Sequence, residues 1–178
     1  AVALADAREM VAAAEAAGVV FAMGFNNRAR PQLQWLKHAV ENGDLGDVLQ
    51  CWIRRLGYNR LPPESDWRTK TGALAGMTIQ AITHDIDMLR FVVGEIADVS
   101  GAITSSMPQV PEYDDNLSAT LILENGVIGN IHASWSAHVG HGSRGVIGTR
   151  GTASIEGPGL WAMTHTRFSN TGDEAERI

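Results

Sequence analysis

Polar and apolar residues alternate with helical spacing in the first half of the chain and mostly with strand spacing in the second. Residues 5–17 (ADAREMVAAAEAA) are strong helix formers that stop at Gly18, so we predict a helix there. The apolar run over residues 19–25 has the length of a strand. A helix, a glycine and a strand in this order are typical of the closing unit of a parallel α/β domain.

A second helix is predicted over residues 31–42, because Pro31 suits a first helical turn and Gly43 suits an end. Its buried side would carry Leu33, Leu36, Lys37 and Val40. Residues 47–58 are predicted to form a strand. Residues 61–70 are predicted to be a loop, because the two prolines there disfavour both a helix and a central strand.

The most informative segment is residues 80–91, which we predict to be helical up to Gly94. At 100° per residue, one stripe about 40° wide carries four apolar side chains. These are Ile82, Ile86, Leu89 and Val93. The opposite side carries Gln80, His84, Asp87 and Phe91. The helix would therefore present a histidine with two polar neighbours, as an acid–base site requires; the alternative is a partly exposed histidine with no function.

After Gly94 the pattern changes to a series of strands without intervening helices. They are predicted over residues 97–106, 116–123, 127–138, 143–148 and 152–156, with a sixth candidate over 160–168. Asn125-Gly126 predicts a type I′ hairpin. The predicted fold class is α/β (α+β), with an open, mainly antiparallel sheet and helices on one face. A polar tail over residues 170–178 is expected to fray.

Composition narrows the classes of function. The chain has 178 residues, of which 44% are hydrophobic and 19% charged, as expected for one domain or one domain and a fragment. Its net charge of −6 argues against nucleic acid as a partner. We find no apolar run of membrane-spanning length and no signal peptide, and we expect a cytoplasmic location. Cys51 is the single cysteine, which excludes an internal disulfide framework.

Two motifs are weighed against simpler explanations. A G-x-G-x-x-G pattern occurs over residues 140–145, but strand and turn residues follow it where a dinucleotide site needs a helix. We therefore interpret its glycines as inter-strand turn residues. His84 and Asp87 are spaced as two metal ligands could be, yet only remote histidines could complete the set, so we predict no metal site. Those histidines are His132, His138 and His141.

Three residues outside the helix are candidate substrate contacts. Arg28 follows the first predicted strand, where α/β proteins open their ligand crevice; the alternative is a solvated arginine. Trp67 and Lys70, in the proline-rich loop, could offer a ligand an aromatic wall and a cationic donor. Trp67 could equally anchor the loop against the core.

The ordered set of motifs resembles one known family. It comprises residues 19–28 (VVFAMGFNNR), 36–48 (LKHAVENGDLGDV), 67–76, 83–87 (THDID) with Gly94-Glu95, 133–135 and 147–152 (IGTRGT). This succession, covering about residues 4–157, resembles the glucose–fructose oxidoreductase / inositol dehydrogenase / rhizopine-catabolism (Gfo/Idh/MocA) family of NAD(P)-dependent oxidoreductases.

The resemblance implies a two-domain dehydrogenase. An N-terminal Rossmann domain would bind NAD or NADP, and a C-terminal domain would hold a sugar, inositol or related polyol and form homo-oligomers through its sheet. The histidine matched by His84 would act as the acid–base group, since an imidazole titrates near neutral pH. Many members carry an aspartate where this chain has Gln80, which excludes an Asp–His relay. We assign Gln80 and Asp87 as neighbours that orient His84.

The family's glycine-rich loop and Glu-Lys-Pro segment are missing from this sequence. Residues 1–25 would thus be a remnant of the Rossmann domain, residues 26–169 the substrate-binding and oligomerisation domain, and residues 170–178 a tail. No cofactor-binding residue is expected within this chain, which we predict to be inactive alone. The alternatives are a non-catalytic binding or assembly module, and a domain cut from a longer enzyme.

Overall fold

The helices and strands account for most of the described chain. The computed structural model describes residues 3–59, 66–70, 75–106, 112–158, 163–170 and 176–177. Its α-helices are α1 (Leu4–Ala17), α2 (Pro31–Glu41) and α3 (Thr83–Val92). Its strands are β1 (Val48–Tyr58), β2 (Ile96–Thr104), β3 (Asn116–Leu123), β4 (Ile128–Ser134), β5 (Ser136–Gly148), β6 (Gly151–Gly157), β7 (His165–Asn170) and β8 (Glu176–Arg177). Short 3₁₀ turns cover Asn26–Ala29 and Trp67–Thr69, and a π-helical turn covers Thr78–Ile82.

The strands form one sheet in the order β2-β3-β4-β1-β5-β6-β7-β8. Strands β1 and β4 are parallel, and every other neighbouring pair is antiparallel. The predicted mainly antiparallel sheet is therefore confirmed. The parallel pair arises because β1 lies at the centre, between β4 and β5, although it comes first along the chain.

The core lies between one face of the sheet and helices α2 and α3. Period-two alternation places every second residue of β1 on this face, where Cys51 and Ile53 are buried. Helix α2 contributes Leu33, Leu36 and Ala39, and α3 contributes Met88, Leu89 and Val92. The predicted apolar stripe is fully buried at Ile82, in the turn before α3, and at Leu89, and is only partly buried at Ile86 and Val93. This layer holds the functional helix firmly against the sheet.

Helix α1 makes no comparable contribution to the core. None of its residues is buried, and it ends at Gly18, whose φ of 64° suits the left-handed end of a helix. The strand predicted over residues 19–25 is wrong for this structure, because these residues pair with none of the described strands. Val20 is 97% exposed. An apolar run forms a strand only where a neighbouring strand completes its hydrogen bonds.

Three further predictions need correction. The glycine motif over residues 140–145 is not a turn, because β5 runs without interruption from Ser136 to Gly148. The hairpin between β3 and β4 is confirmed, but Leu123 donates to the Val127 carbonyl and accepts from Gly126. Its loop is therefore a three-residue loop and not the two-residue type I′ turn. Glu176–Arg177 pairs with β7, so this part of the predicted tail is ordered.

The other face of the sheet carries a pocket whose lining includes Trp52, Arg54, His132 and His141. Within the described residues, no helix combines the length and the apolar character that crossing a membrane requires.

Candidate functional site

The backbone before α3 is fixed by one carboxylate. The Asp114 side chain accepts hydrogen bonds from the Thr78 amide (3.0 Å) and hydroxyl (2.6 Å). Its carbonyl accepts from the Met77 amide at 2.7 Å. Gly76 has a φ of 145°, and a Cβ there would overlap the Asp114 side chain and amide. This anchoring sets where the helix that carries the candidate residues begins.

The first turn of that helix is a π-turn over Thr78–Ile82, and α3 follows from Thr83. The prediction of an α-helix from residue 80 is therefore wrong for this turn and confirmed beyond it. A π-turn adds a residue to the turn and changes the angular positions of the side chains it carries. Such turns are frequent at functional sites, and this one carries Gln80 directly before His84.

Gln80 and His84 share a pocket of about 650 Å³ between the start of α3 and residues 23–26. The described residues that line it are Met23, Gly24, Phe25, Asn26, Ile79, Gln80, Thr83 and His84. The pocket thus joins apolar side chains to polar groups that can form hydrogen bonds. A small hydroxylated molecule and a flat ring would both find suitable surfaces there.

The His84 ring packs edge-on against Phe25, with 6.0 Å between ring centroids and 85° between planes. Its Nδ1 is buried and has no hydrogen-bond partner among the described residues. Buried polar atoms are nearly always satisfied, so an orphan nitrogen is costly and requires an explanation such as a functional role. The predicted candidate therefore lies in the pocket, with one ring nitrogen unused by the rest of the described chain.

The other predicted catalytic neighbour, Asp87, faces a different partner. Arg28 donates to its carboxylate from Nε at 2.9 Å and from Nη2 at 2.6 Å. The Asp87 side chain is 4% exposed, and no hydrogen bond in the described structure joins it to His84. The ion pair raises the pKa of Arg28, chiefly through the hydrogen bond to Asp87. Arg28, predicted as a substrate contact, and Asp87, predicted to orient His84, thus bind each other.

The proline-rich loop reaches the site through Arg68. Its Nη1 donates to Gln80 Oε1 at 3.3 Å, while Nε and Nη2 bind Asp66 at 2.9 and 2.6 Å. Hydrogen bonds from the Arg68 side chain and amide lower the pKa of Asp66 to about 2. Trp67 is 61% exposed, and neither Trp67 nor Lys70 is among the described residues that line the pocket. The sequence thus indicated the right loop, but we selected Trp67 and Lys70, whereas Arg68 is the residue that contacts Gln80.

A buried charge cluster lies under the same helix. Asp85 accepts from Arg55 Nη1 at 2.5 Å and from Arg144 Nε at 2.9 Å, and all three residues are 1% exposed. Burial lowers the pKa of Arg55, and the charge of Asp85 opposes this shift. The two arginines project from β1 and β5, so the residue next to His84 is tied to the centre of the sheet. This arrangement limits how far the helix can move.

Several functional candidates escaped the sequence analysis. Phe25 ends the predicted first strand and Asn26 directly follows it, so the crevice rule that selected Arg28 would have found them two or three residues earlier. Tyr113 accepts a hydrogen bond from Gln80 Nε2 at 3.3 Å. It is 33 residues distant in sequence, and no local pattern indicated it. In the described part of the chain, no group of three histidine, cysteine or acidic residues could hold a metal ion.

Comparison with known proteins identifies the family to which the chain belongs. The GFO/IDH/MocA C-terminal domain model matches residues 33–154. An uncharacterized oxidoreductase of Bacillus subtilis, YrbE, is 31% identical over 158 residues, covering 85% of this chain and 44% of that protein. The myo-inositol 2-dehydrogenase of Thermotoga maritima is 32% identical over 157 residues, covering 83% and 44%. The chain therefore spans less than half the length of these relatives.

A solved structure shows the same fold. The WlbA dehydrogenase from Bordetella pertussis, in complex with NADH and UDP-GlcNAcA, superposes with a TM-score of 0.81. The two are 24% identical, and the match covers 98% of this chain and 54% of the other. The family model, which matches well over half of the chain, decides the assignment. The chain belongs to the GFO/IDH/MocA family of oxidoreductases, of which it contains the C-terminal domain.

Proposed function

We propose that this chain is the substrate-binding part of an NAD(P)-dependent oxidoreductase that acts on a sugar, inositol or related polyol. The observation that carries the proposal is that His84 and Gln80 line one pocket together with residues 23–26. Residues 23–25 are the end of the proposed Rossmann remnant, residues 1–25, and Asn26 begins the proposed substrate domain. The pocket would therefore lie where a cofactor domain meets the substrate domain.

The chemistry would be the interconversion of a secondary alcohol and a carbonyl. A bound nicotinamide cofactor would supply the hydride acceptor or donor. Met23, Phe25 and Ile79 would offer apolar side chains to this flat ring, a contact that the sequence did not predict, while the rest of the cofactor site would lie outside this chain. His84 would take the hydroxyl proton as the carbonyl forms, and return it in the reverse direction.

The other candidate residues support this centre in different ways. Gln80 would orient the substrate oxygen, since an amide can form hydrogen bonds but cannot take a proton at neutral pH. Arg28 and Asp87 would hold residues 26–29 against α3, in keeping with their two hydrogen bonds. Trp67 and Lys70 would contact the substrate, because the hydrogen bond from Arg68 to Gln80 places their loop next to the pocket.

A turnover assay tests the proposal that this chain binds the substrate but needs a separate cofactor domain for catalysis. We expect the purified 178-residue chain to show no NAD⁺- or NADP⁺-dependent oxidation of myo-inositol or other cyclic polyols. Turnover that is abolished by His84→Ala would support the role of His84 but contradict inactivity. The DNA directly upstream of the Ala1 codon gives a second test. An in-frame cofactor domain with a Glu-Lys-Pro segment would support the proposal, and an unrelated sequence would contradict it.

A second candidate function is assembly without catalysis. Trp52, Arg54, His132 and His141 lie together on one face of the sheet, and this face would offer a surface for self-association through the sheet. Sedimentation velocity, together with a measurement of polyol binding, would distinguish the assembly function from the enzyme function. A sheet-mediated homo-oligomer that binds no polyol would favour the assembly function. Polyol binding that His84→Ala removes would favour the enzyme.

A further inference from the structure

The Gln80 side chain is held from both ends. Arg68 Nη1 donates to Gln80 Oε1 at 3.3 Å, and Gln80 Nε2 donates to the Tyr113 hydroxyl at 3.3 Å. Arg68 is itself fixed by two hydrogen bonds to Asp66. Tyr113 is 1% exposed and packs against Trp135, with 6.3 Å between ring centroids. The amide between them therefore has little freedom to rotate.

These partners also decide which way the amide points. The oxygen and nitrogen of a glutamine look alike by shape, so the assignment depends on the hydrogen-bond partners. A guanidinium group has donors and no acceptor, so Arg68 can bind only the Oε1 end. Gln80 Nε2 must then face Tyr113, where the phenol oxygen accepts one of its two hydrogens. Burial raises the pKa of Tyr113 and keeps the phenol neutral.

Among the described residues, the second hydrogen of Gln80 Nε2 has no partner, and Gln80 lines the pocket beside His84. We propose that Tyr113 is a positioning residue that, through Gln80, makes this site donate a hydrogen bond to the ligand oxygen and so favour the carbonyl over the alcohol form of the substrate. The inference deepens the proposed function and rests on it. A carbonyl oxygen only accepts hydrogen bonds, so a donor from Gln80 satisfies it, whereas an alcohol also carries a hydrogen that needs an acceptor and Gln80 Nε2 offers none. A carboxylate at this position could only accept.

The first test follows the amide without any ligand. The side-chain amide signals of Gln80 can be assigned in a nitrogen-15 NMR spectrum from their loss in Gln80→Met. Tyr113→Phe keeps the ring and removes the acceptor, so we expect it to shift these signals. Tyr58→Phe is the matched control, because Tyr58 is 63% exposed and stacks on His138 away from the pocket. Unchanged Gln80 signals in a folded Tyr113→Phe protein would overturn the positioning role.

The second test measures binding of a matched pair of probes, myo-inositol and its 2-keto derivative, to the same chain. We expect the ketone to bind about tenfold more tightly, and Tyr113→Phe to remove most of this preference. Gln80→Glu should reverse it, since a carboxylate accepts from an alcohol. Equal binding of both probes, unaffected by Tyr113→Phe, would overturn this inference alone. If neither probe binds the wild-type chain, the proposed function fails on these ligands and the carbonyl preference fails with it.

Discussion

Arg28 holds Asp87 with two hydrogen bonds, 2.9 Å from Nε to Oδ2 and 2.6 Å from Nη2 to Oδ1. The residues are 59 positions apart, and the pair joins the 3₁₀ turn Asn26–Ala29 to α3. The Arg28 guanidinium also lies 5.0 Å from the centroid of the Phe91 ring. This pair therefore fixes the turn that contributes Asn26 to the pocket against α3, the helix that contributes His84.

Removing Arg28 should cost stability. Arg28→Ala leaves the Asp87 carboxylate, only 4% exposed, without its cation, and we expect the free energy of unfolding to fall by about 2 kcal/mol in urea denaturation. Asp87→Asn should recover part of this loss in the double variant. Arg90→Ala is the control, because the Arg90–Glu95 pair is half exposed and is worth less than about 1 kcal/mol. Equal effects of the two arginine variants would contradict the account.

Asp85 should be the most sensitive carboxylate in the chain's core. Asp85→Ala leaves the buried cations of Arg55 and Arg144 uncompensated, so we expect a loss of about 3–5 kcal/mol or failure to fold. Asp85→Asn, which keeps one acceptor, should lie between this variant and the wild type. Asp98→Ala, on an exposed strand position, should change stability by less than about 0.5 kcal/mol. An Asp85→Ala protein within about 1 kcal/mol of the wild type would refute the anchoring role.

Cys51 should be inert in the folded protein. Burial raises the pKa of its thiol to about 11, so at pH 8 few molecules carry the reactive thiolate. Labelling with a thiol-specific disulfide reagent should be on the order of 100-fold slower than after unfolding in guanidinium chloride. The rate should rise with pH as the thiol begins to ionise. Labelling of the folded chain at the rate of the unfolded chain would contradict the buried placement.

Gly145 should tolerate no side chain. A Cβ there would overlap the indole of Trp52 and the carbonyl of Ala153 on the neighbouring strand. We expect Gly145→Ala to lower the free energy of unfolding by about 1–3 kcal/mol. Gly24→Ala is a suitable control, because a Cβ at Gly24 meets nothing within 4 Å. A melting temperature for Gly145→Ala equal to that of the control would show that the strand can shift to accept the methyl group.

Periodicity predicted most of the fold because the helices and strands bury one face each. Leu33 and Leu36 of α2 and the pairing of β3 with β4 follow directly from such patterns. The predicted Lys37 and Val40 are only partly buried, and Ala39 is buried although it was not predicted. Periodicity gave a wrong prediction for residues 19–25, because their apolar character indicates burial but does not identify the element that would cover them. The glycines of β5 led to the wrong prediction of a turn for a similar reason. Gly145 makes room for the indole of Trp52 on the neighbouring strand β1, which no local pattern reveals.

The candidate site was predictable only in part. His84 and Gln80 follow from helical spacing, and both line the pocket. The roles of Tyr113 and Asp114 depend on contacts with residues more than 30 positions away, and these contacts also produce the irregular start of the helix. The same is true of the pair formed by Arg28 and Asp87. Pairings over such distances are decided by the sheet topology.

Ligand titration of the chain tests the central claim most directly. Cyclic polyols and their keto derivatives would be added to the nitrogen-15-labelled protein while the signals of His84 and Gln80 are followed. The account predicts saturable shifts at both residues with at least one compound, and loss of that binding in His84→Gln with the fold retained. The absence of any saturable response at the pocket, in a folded wild-type chain, would contradict the claim that these residues form a substrate site.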